Sequence, residues 1–234
     1  MKRIILFFAT IISLSSYGQM GNKDKMGTFL TTQSIGVSFQ KFEGLNSRIA
    51  DFPQYKTLKD HMWTLTLGSM KVHRNFISSL SVTGASSMSG DRDKKSSALR
   101  SLSGGIDLGY DVIPGDMIML YPLVGIGAEG YQAQFYKDNS AVDFDVVLNS
   151  PTAQNSIRSV KFTNSFITYR LGLGFALKSP KHMGAIGIQG GYTGSFKDRS
   201  WKSSENQSLA GAPVDNLSRF HVSLVMMGMP HFMK

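Results

Sequence analysis

Two residues near the end of the chain have the types and spacing of a hydrolytic pair. His221 and Ser223 are separated by one residue, so in a strand their side chains stand on the same face. An imidazole beside a hydroxyl can act as the general base that activates the oxygen for attack on an ester. This spacing keeps a hydrolase open as an alternative function.

A glycine pattern suggests a second kind of chemistry, the binding of a dinucleotide. Gly125, Gly127 and Gly130 fit the pattern G-x-G-x-x-G, and Asp145 follows Gly125 by twenty residues. Such a site needs a helix that starts at the glycines and holds the pyrophosphate at its N-terminus. Here the segment 131–136 continues a two-residue alternation, so we interpret the glycines as relief of crowding in a strand.

Metal and thiol chemistry find no support in the sequence. The chain has no cysteine, which excludes disulfides, thiol catalysis and iron–sulfur clusters. The histidines other than His221 are scattered without the spacing of metal ligands (His61, His73, His182 and His231). We therefore expect no metal and no cofactor, and no enzyme beyond the hydrolase alternative.

The elements that position these residues are strands, because the body of the chain alternates with period two. In the clearest run, apolar residues such as Leu102, Ile106 and Leu108 alternate with small or acidic residues such as Asp107 and Asp111. Charged residues are only 18% of the chain, below the level of about 25% in ordinary soluble domains. We predict eight strands, over 28–42, 61–72, 76–89, 98–113, 117–136, 161–178, 184–198 and 218–232.

The lengths of the connections favour one architecture. Short connections and long polar connections alternate strictly, and both ends of the strand region fall on the side of the short turns. An even number of antiparallel strands connected in this way is typical of an outer-membrane barrel. The fold class predicted is all-β, an eight-stranded antiparallel up-and-down transmembrane β-barrel. A secreted soluble barrel or sandwich is the alternative, but its outer face would carry more charge.

The apolar face has the length and the ends expected of a face that meets lipid. Aromatic residues stand near the ends of its runs, as in the girdles of membrane barrels; they are Trp63, Tyr110, Phe162, Phe196 and Phe220. The opposite face, rich in Gly, Ser and Thr, suits a narrow and crowded polar lumen.

The beginning of the chain resembles a secretory signal peptide. Lys2 and Arg3 precede an apolar stretch over 4–14 that is too short to span a bilayer, and small residues lie around Gly18. We expect a signal peptide over 1–18 and an outer-membrane barrel domain over 19–234. Removal of Lys2 and Arg3 lowers the formal net charge from +9 to +7 (9 − 2). A short membrane anchor is less favoured, because no stop-transfer run follows.

In architecture the chain resembles the OmpA/OmpX-type eight-stranded outer-membrane barrels. It resembles in particular the outer-membrane β-barrel or PorT-like proteins of the Bacteroidetes. The best local match is the hairpin of segments 109–114 and 120–127, and the ending Tyr17-Gly18-Gln19 is similar to export signals of that group. The resemblance implies a Gram-negative outer-membrane location and brings no catalytic motif.

The hydrolase alternative also rests on a resemblance. Outer-membrane lipid A deacylases, which are eight-stranded barrels too, have the motif His-x-Ser-Asn. Here Leu224 stands in the position of the Asn. By parity His221 and Ser223 also face the lumen, which a lipid ester could not reach, so hydrolysis is disfavoured.

Several polar residues are expected to share the lumen, namely Asp107, Asp111, Glu129, Arg170 and Gln189. Isolated charges in a narrow lumen are costly, so these should pair. Pairing Ile113 with Met117 across the Pro114 turn would place Ser101 opposite Glu129. We hypothesise that Arg170 bridges Glu129 or Asp107 and plugs the barrel together with Tyr121. A gate is the alternative to this filling role, which is favoured because eight strands leave room only for side chains.

Basic residues collect in the long loops and on their flanks, among them Arg92, Lys94, Lys95, Arg199 and Lys202. If the loops are extracellular, these residues face phosphates of lipopolysaccharide or another polyanion. We therefore expect a structural or surface-interaction protein whose partners are outer-membrane lipid, lipopolysaccharide and other envelope proteins. Nucleic acid is not expected as a partner, because no nucleic-acid-binding module is present. A narrow pore, or an assembly or secretion factor, remains the alternative.

Overall fold

Strands form where apolar side chains alternate with small or polar ones. The computed structural model describes residues 28–91, 94–113, 115, 117–179 and 184–228. The long strands are β1 (Thr28–Gln40), β2 (His61–His73), β3 (Phe76–Ser89), β4 (Ser96–Tyr110), β5 (Ile118–Tyr136), β6 (Val160–Ser179), β7 (Gly184–Ser195) and β11 (Ser218–Gly228). They correspond one to one with the eight predicted runs. The expected signal peptide, Arg92 and the last residues of the eighth run lie outside the described residues.

The eight long strands close into a barrel. Each pairs antiparallel with its neighbours in sequence, and β1 pairs with β11 to complete the circle. Following the cross-strand partners once around from Thr31 leads to Ser218, which lies beside residue 41 of the first segment. This stagger of ten residues (41 − 31) over eight strands corresponds to a strand tilt of about 40°. The predicted fold class, an eight-stranded antiparallel barrel, is confirmed.

The two faces of the barrel wall differ as the alternation requires. Outward residues are apolar and exposed, for example Leu102, Ile126 and Leu173, whereas their neighbours in sequence point into the lumen. Trp63 lies near one end of the outer face, and Phe76, the partner of His73, lies near the other. The ten residue steps from 63 to 73 span about 26 Å along the barrel axis at this tilt, close to the apolar band of outer-membrane barrels, about 25 Å tall.

One predicted member of the aromatic girdle was wrong. Trp63, Tyr110, Phe196 and Phe220 are exposed on the outside. Phe162, in contrast, points inward, and its ring centroid lies 6.1 Å from that of Phe135, which is fully buried. The even-numbered residues of β6 face inward, and Phe162 is one of them.

The connections differ in length at the two ends of the barrel. The short-turn end carries the connections from β2 to β3, from β4 to β5 and from β6 to β7. The long-loop end carries loop 1 (41–60), loop 2 (90–95), loop 3 (137–159) and loop 4 (196–217). Loop 1 contains helix α1 (Glu43–Ala50), loop 3 contains α2 (Phe144–Asn149) and α3 (Pro151–Ser156), and loop 4 contains β8 (Arg199–Ser200), β9 (Lys202–Ser203) and β10 (Val214–Asp215). In the described part of the chain, no helix is both long and apolar enough to span a bilayer.

The lumen is not polar along its whole length, which corrects the sequence-based expectation. Apolar side chains fill both ends. The long-loop cluster consists of Phe42, Leu45, Ile49, Leu58, Met62, Ala85, Leu99, Tyr131, Ala133, Phe135, Phe166, Trp201 and Leu217. The short-turn cluster consists of Leu30, Met70, Ile77, Met119, Tyr121, Leu123, Ala176, Val225 and Met227. Polar side chains are therefore concentrated between these two clusters.

Candidate functional site

The candidate site is a polar chamber in the middle of the lumen. It has a volume of about 70 Å³, enough for several water molecules, since one water needs roughly 10–15 Å³. Hydroxyl side chains from six strands line it: Ser34, Ser38, Thr64, Ser79, Ser81, Ser103, Thr168 and Thr193. Its charged members are Asp107, Glu129, Arg170 and Arg219. Two carboxylates and two guanidinium groups balance one another in charge.

Arg170 on β6 pairs with Asp107 on β4, across the intervening strand β5. Its Nη2 atom lies 3.2 Å from Oδ2 of Asp107, and its Nη1 donates a hydrogen bond of 3.2 Å to the hydroxyl of Ser81. Ser79 donates a hydrogen bond of 3.3 Å to the same carboxylate. Of the two partners expected for Arg170, the structure thus places Asp107 beside it.

Two glycines provide the space that the ion pair of Asp107 and Arg170 occupies. A Cβ on Gly105 would collide with Nη1 of Arg170, and a Cβ on Gly125 would collide with the Asp107 carboxylate. The G-x-G-x-x-G pattern that begins at Gly125 lies inside β5, which continues to Tyr136, so no helix starts at its glycines. Its first glycine therefore serves the packing of the chamber.

Glu129 has a different partner, Arg219, which the sequence analysis missed. Nη1 of Arg219 contacts Oε1 of Glu129, and both side chains are almost completely buried. The Tyr131 hydroxyl donates a hydrogen bond of 2.8 Å to the same Oε1, and it lies 3.4 Å from Nη1 of Arg219. Arg219 shares its parity with His221 and Ser223. That was the one signal in the sequence that it faces the lumen.

Asp111 does not belong to the chamber, contrary to the expectation. It lies at the short-turn end, where its Oδ2 is 3.0 Å from Nζ of Lys178. Its Oδ1 accepts hydrogen bonds from the backbone N–H groups of Ile113 and Leu120, at 3.3 and 3.2 Å. The carboxylate thus stabilises a turn between β4 and β5 that is longer than a tight hairpin.

This longer turn shifts the register between β4 and β5. The expected pairing of Ser101 with Glu129 is wrong: Ser101 lies opposite Tyr131, and Ser103 lies opposite Glu129. The shift by two residues preserves the inward face of every residue, because the side-chain period of a strand is two.

Gln189, His221 and Ser223 line the chamber on the side of β7 and β11. The Ser223 hydroxyl donates to the backbone carbonyl of Gln189 at 3.4 Å, and Nδ1 of His221 is buried without a hydrogen-bond partner among the described residues. A lipid ester would have to enter the lumen to reach either side chain, since both line the chamber. The arrangement therefore gives no support to hydrolysis at this pair.

The chamber is closed at the short-turn end by Tyr121. This ring is fully buried and lies over Gly174, where a Cβ would collide with it. Met119 and Met227 belong to the same cluster. Tyr121 thus lies in the short-turn cluster, and Arg170 lines the chamber.

At the long-loop end, loops 1 and 4 form a cap. Asp215 of loop 4 accepts hydrogen bonds from the N–H groups of Gly44 and Leu45 in the first turn of α1, at 2.7 and 2.9 Å. It also accepts one of 2.8 Å from Nε1 of Trp201, which is fully buried. Phe42 packs edge-to-face on Trp201, with ring centroids 5.3 Å apart. The Asp215 carboxylate thus binds both α1 and Trp201 at the long-loop end of the lumen.

The described basic residues of the predicted set come from two loops. Lys94 and Lys95 lie in loop 2, where Nζ of Lys95 donates a hydrogen bond of 3.1 Å to the carbonyl of Pro53 in loop 1. Lys56 of loop 1 lies against Gly90 of loop 2, so these three lysines form what we call the loop 1–2 patch. The other two described residues of the predicted set are in loop 4: Arg199 is exposed and Lys202 is half-buried.

Within residues 28–91, 94–113, 115, 117–179 and 184–228, no cluster of three or more His, Asp or Glu side chains could hold a metal ion.

Solved structures share this fold. No family model and no curated protein matches the sequence. The chain is similar to Neisserial surface protein A (NspA), with a TM-score of 0.50 and 9% identity over 86% of this chain and 96% of that chain. It is also similar to OprG from Pseudomonas aeruginosa, with a TM-score of 0.48 and 14% identity over 87% of this chain and 95% of that chain. A third similar structure is Ail of Yersinia pestis in complex with the heparin analogue sucrose octasulfate, with a TM-score of 0.46 and 13% identity over 85% of this chain and 98% of that chain. The architecture of the chain is that of the eight-stranded outer-membrane β-barrels.

Proposed function

We propose that the chain is an integral outer-membrane β-barrel protein with a structural or surface-interaction role and a lumen filled by its own side chains. One observation supports the proposal: apolar clusters lie at both ends of the polar chamber, while the outer wall presents an apolar band of membrane thickness. A wall of this kind is stable in lipid, because every strand has two hydrogen-bonded neighbours and none is an open edge. A closed lumen disfavours the alternative of a narrow pore. The finer assignment to the PorT-like proteins of the Bacteroidetes remains a prediction from the sequence.

Conductance in planar bilayers tests the closed lumen. The wild-type protein and the variant Arg170→Ala should both show negligible ion conductance, because neither apolar seal involves Arg170. Steady channel currents in the wild type would contradict the closed lumen. Currents that appear only in Arg170→Ala would instead identify Arg170 as a gate.

The surface-interaction role rests on the cap and on the loop 1–2 patch. The cap holds loops 1 and 4 in place, and the three lysines of the patch are exposed beside it. Clustered ammonium groups attract the phosphates of lipopolysaccharide or another polyanion, an interaction that salt screens. Apolar residues of loop 3, such as Phe144 and Leu148, are also exposed, and they offer contact area to an envelope protein.

Polyanion binding can be measured on the folded protein in detergent, with lipopolysaccharide and heparin as probes. The triple variant Lys56→Gln/Lys94→Gln/Lys95→Gln should bind several-fold more weakly at low salt. Arg74→Asn is the matched control, because Arg74 is exposed at the short-turn end. Equal binding by the triple variant and the wild type would remove this patch from the proposal while leaving the closed barrel untouched.

A further inference from the structure

An outward-facing lysine breaks the apolar pattern of the barrel wall. Lys71 on β2 is exposed on the outer face, with Phe29 and Ser78 as its cross-strand neighbours. It lies eight residue steps beyond Trp63 (71 − 63), or about 21 Å along the axis at the tilt of the strands. Lys71 is thus within the apolar band, close to its short-turn boundary, and its amine can reach the level of lipid phosphates by snorkelling.

A groove of about 670 Å³ runs along the outer wall beside Lys71. Lys71 and His73 lie at its polar end, together with the Ser78 hydroxyl. Ser78 stands between Lys71 and Leu108 in the same cross-strand row, and its small side chain leaves a gap there.

The rest of the groove is apolar. The rings of Phe76 and Tyr110 meet edge-to-face at 5.2 Å, and Pro122 and Val124 continue the groove across β5. One end of the groove therefore suits an anion and the other suits a hydrocarbon chain. Phospholipids combine these two groups.

We propose that this groove binds an anionic phospholipid of the periplasmic leaflet. The lipid phosphate lies at Lys71 and Ser78, and an acyl chain lies along Phe76, Tyr110 and Val124. The leaflet follows from the polarity of outer-membrane barrels, whose short turns are periplasmic.

A second copy of the chain fits this groove less well than a lipid. None of the described residues that face outward from the barrel strands is an Asp or a Glu. A copy packed wall to wall could therefore offer Lys71 no carboxylate as a counter-ion. Burying the lysine without one would be unfavourable.

Native mass spectrometry of the protein released from nanodiscs tests the proposal. Nanodiscs of equal parts phosphatidylglycerol and phosphatidylcholine present an anionic and a zwitterionic lipid with similar chains. The wild type should retain phosphatidylglycerol preferentially. Lys71→Gln should reduce that preference about fivefold, the effect of losing one cation–headgroup interaction, and Lys71→Arg should keep it.

Two further variants separate the site from general electrostatics. Arg100→Gln removes an exposed cation from β4 near the long-loop end, and it should leave lipid retention unchanged. Ser78→Phe fills the gap beside Lys71 and should lower the retention of both lipids. Equal retention of the two lipids by the wild type, or a loss in Arg100→Gln as large as that in Lys71→Gln, would overturn the proposal. Unboiled gel mobility verifies that each variant is folded.

Discussion

The buried pair of Glu129 and Arg219 allows a quantitative test of how the lumen is stabilised. The Glu129 side chain is 1% exposed and that of Arg219 is 9% exposed. The substitution Arg219→Met preserves much of the side-chain volume but leaves the Glu129 carboxylate without its counter-charge. Only the Tyr131 hydroxyl, at 2.8 Å, would still donate to it.

The expected loss of stability follows from the burial of the remaining charge. Removing one partner of a buried ion pair costs about 3–5 kcal/mol, because the other charge stays desolvated. The double variant Glu129→Gln/Arg219→Met removes both charges and keeps an acceptor for Tyr131. It should cost only about 1–2 kcal/mol, the scale of one lost hydrogen bond. The double variant is therefore expected to be more stable than Arg219→Met alone.

The pair of Asp107 and Arg170 provides a matched control. Both pairs border the chamber, but the Arg170 side chain is 21% exposed and that of Arg219 only 9%, so water has more access to the pair of Asp107 and Arg170. Water can solvate Asp107 after Arg170→Met, so this substitution should cost about 1–2 kcal/mol. The same chemical change is thus expected to differ by several kcal/mol between the two sites.

Urea unfolding in lipid vesicles measures these free energies through tryptophan fluorescence. Of the two tryptophans, Trp63 faces outward and Trp201 is buried in the cap. Equal destabilisation by Arg219→Met and by the double variant would refute the reasoning, because the remaining charge would then not be the source of the cost. A loss in Arg170→Met as large as that in Arg219→Met would refute the assigned difference in hydration.

Two other variants test the two ends of the lumen. Gly174→Ala should destabilise the barrel by about 1–3 kcal/mol through overpacking against Tyr121. In the control Gly172→Ala the new methyl group meets only ordinary contacts, the nearest at 3.5 Å, so the unfolding midpoint should change little. Equal midpoints for the two variants would contradict the placement of Tyr121. Asp215→Ala removes the acceptor of three hydrogen bonds, so loops 1 and 4 should become sensitive to protease. The emission of Trp201 should also shift to the red, measured in a protein that carries Trp63→Phe so that Trp201 is the fluorophore observed. Unchanged proteolysis would show that the cap does not depend on Asp215.

The barrel itself could be predicted from sequence because its signal is local. In β4, Leu102, Ile106 and Leu108 face outward while Asp107 faces inward, and both faces can be recognised from neighbouring residues alone. β11 had the least regular alternation. The structure gives the reason, because Val225 and Met227 point inward and join the short-turn cluster.

The pairing of the lumen charges could be predicted only in part. Glu129 and Arg219 are ninety residues apart and meet only because the barrel closes, so no local pattern indicates the pair. The predicted register between β4 and β5 was wrong because of Asp111. Its carboxylate accepts hydrogen bonds from backbone N–H groups of the turn, and the turn is therefore longer than predicted.

The cap above the lumen was not predicted, because the long loops were interpreted as polar segments. Leu45 and Ile49 are four residues apart, which places them on one face of α1, and both are buried in the long-loop cluster. That spacing was readable in the sequence. The contact between Asp215 and α1 was not, because it joins two loops 170 residues apart.

The central claim is that the chain folds as a closed barrel in an outer membrane. Cell fractionation followed by gel electrophoresis of boiled and unboiled samples tests it most directly. The protein should be recovered with the outer membrane, and the unboiled sample should migrate differently from the boiled one, because a closed barrel resists unfolding by detergent. Recovery in the soluble periplasmic fraction, with the same mobility before and after boiling, would contradict the account.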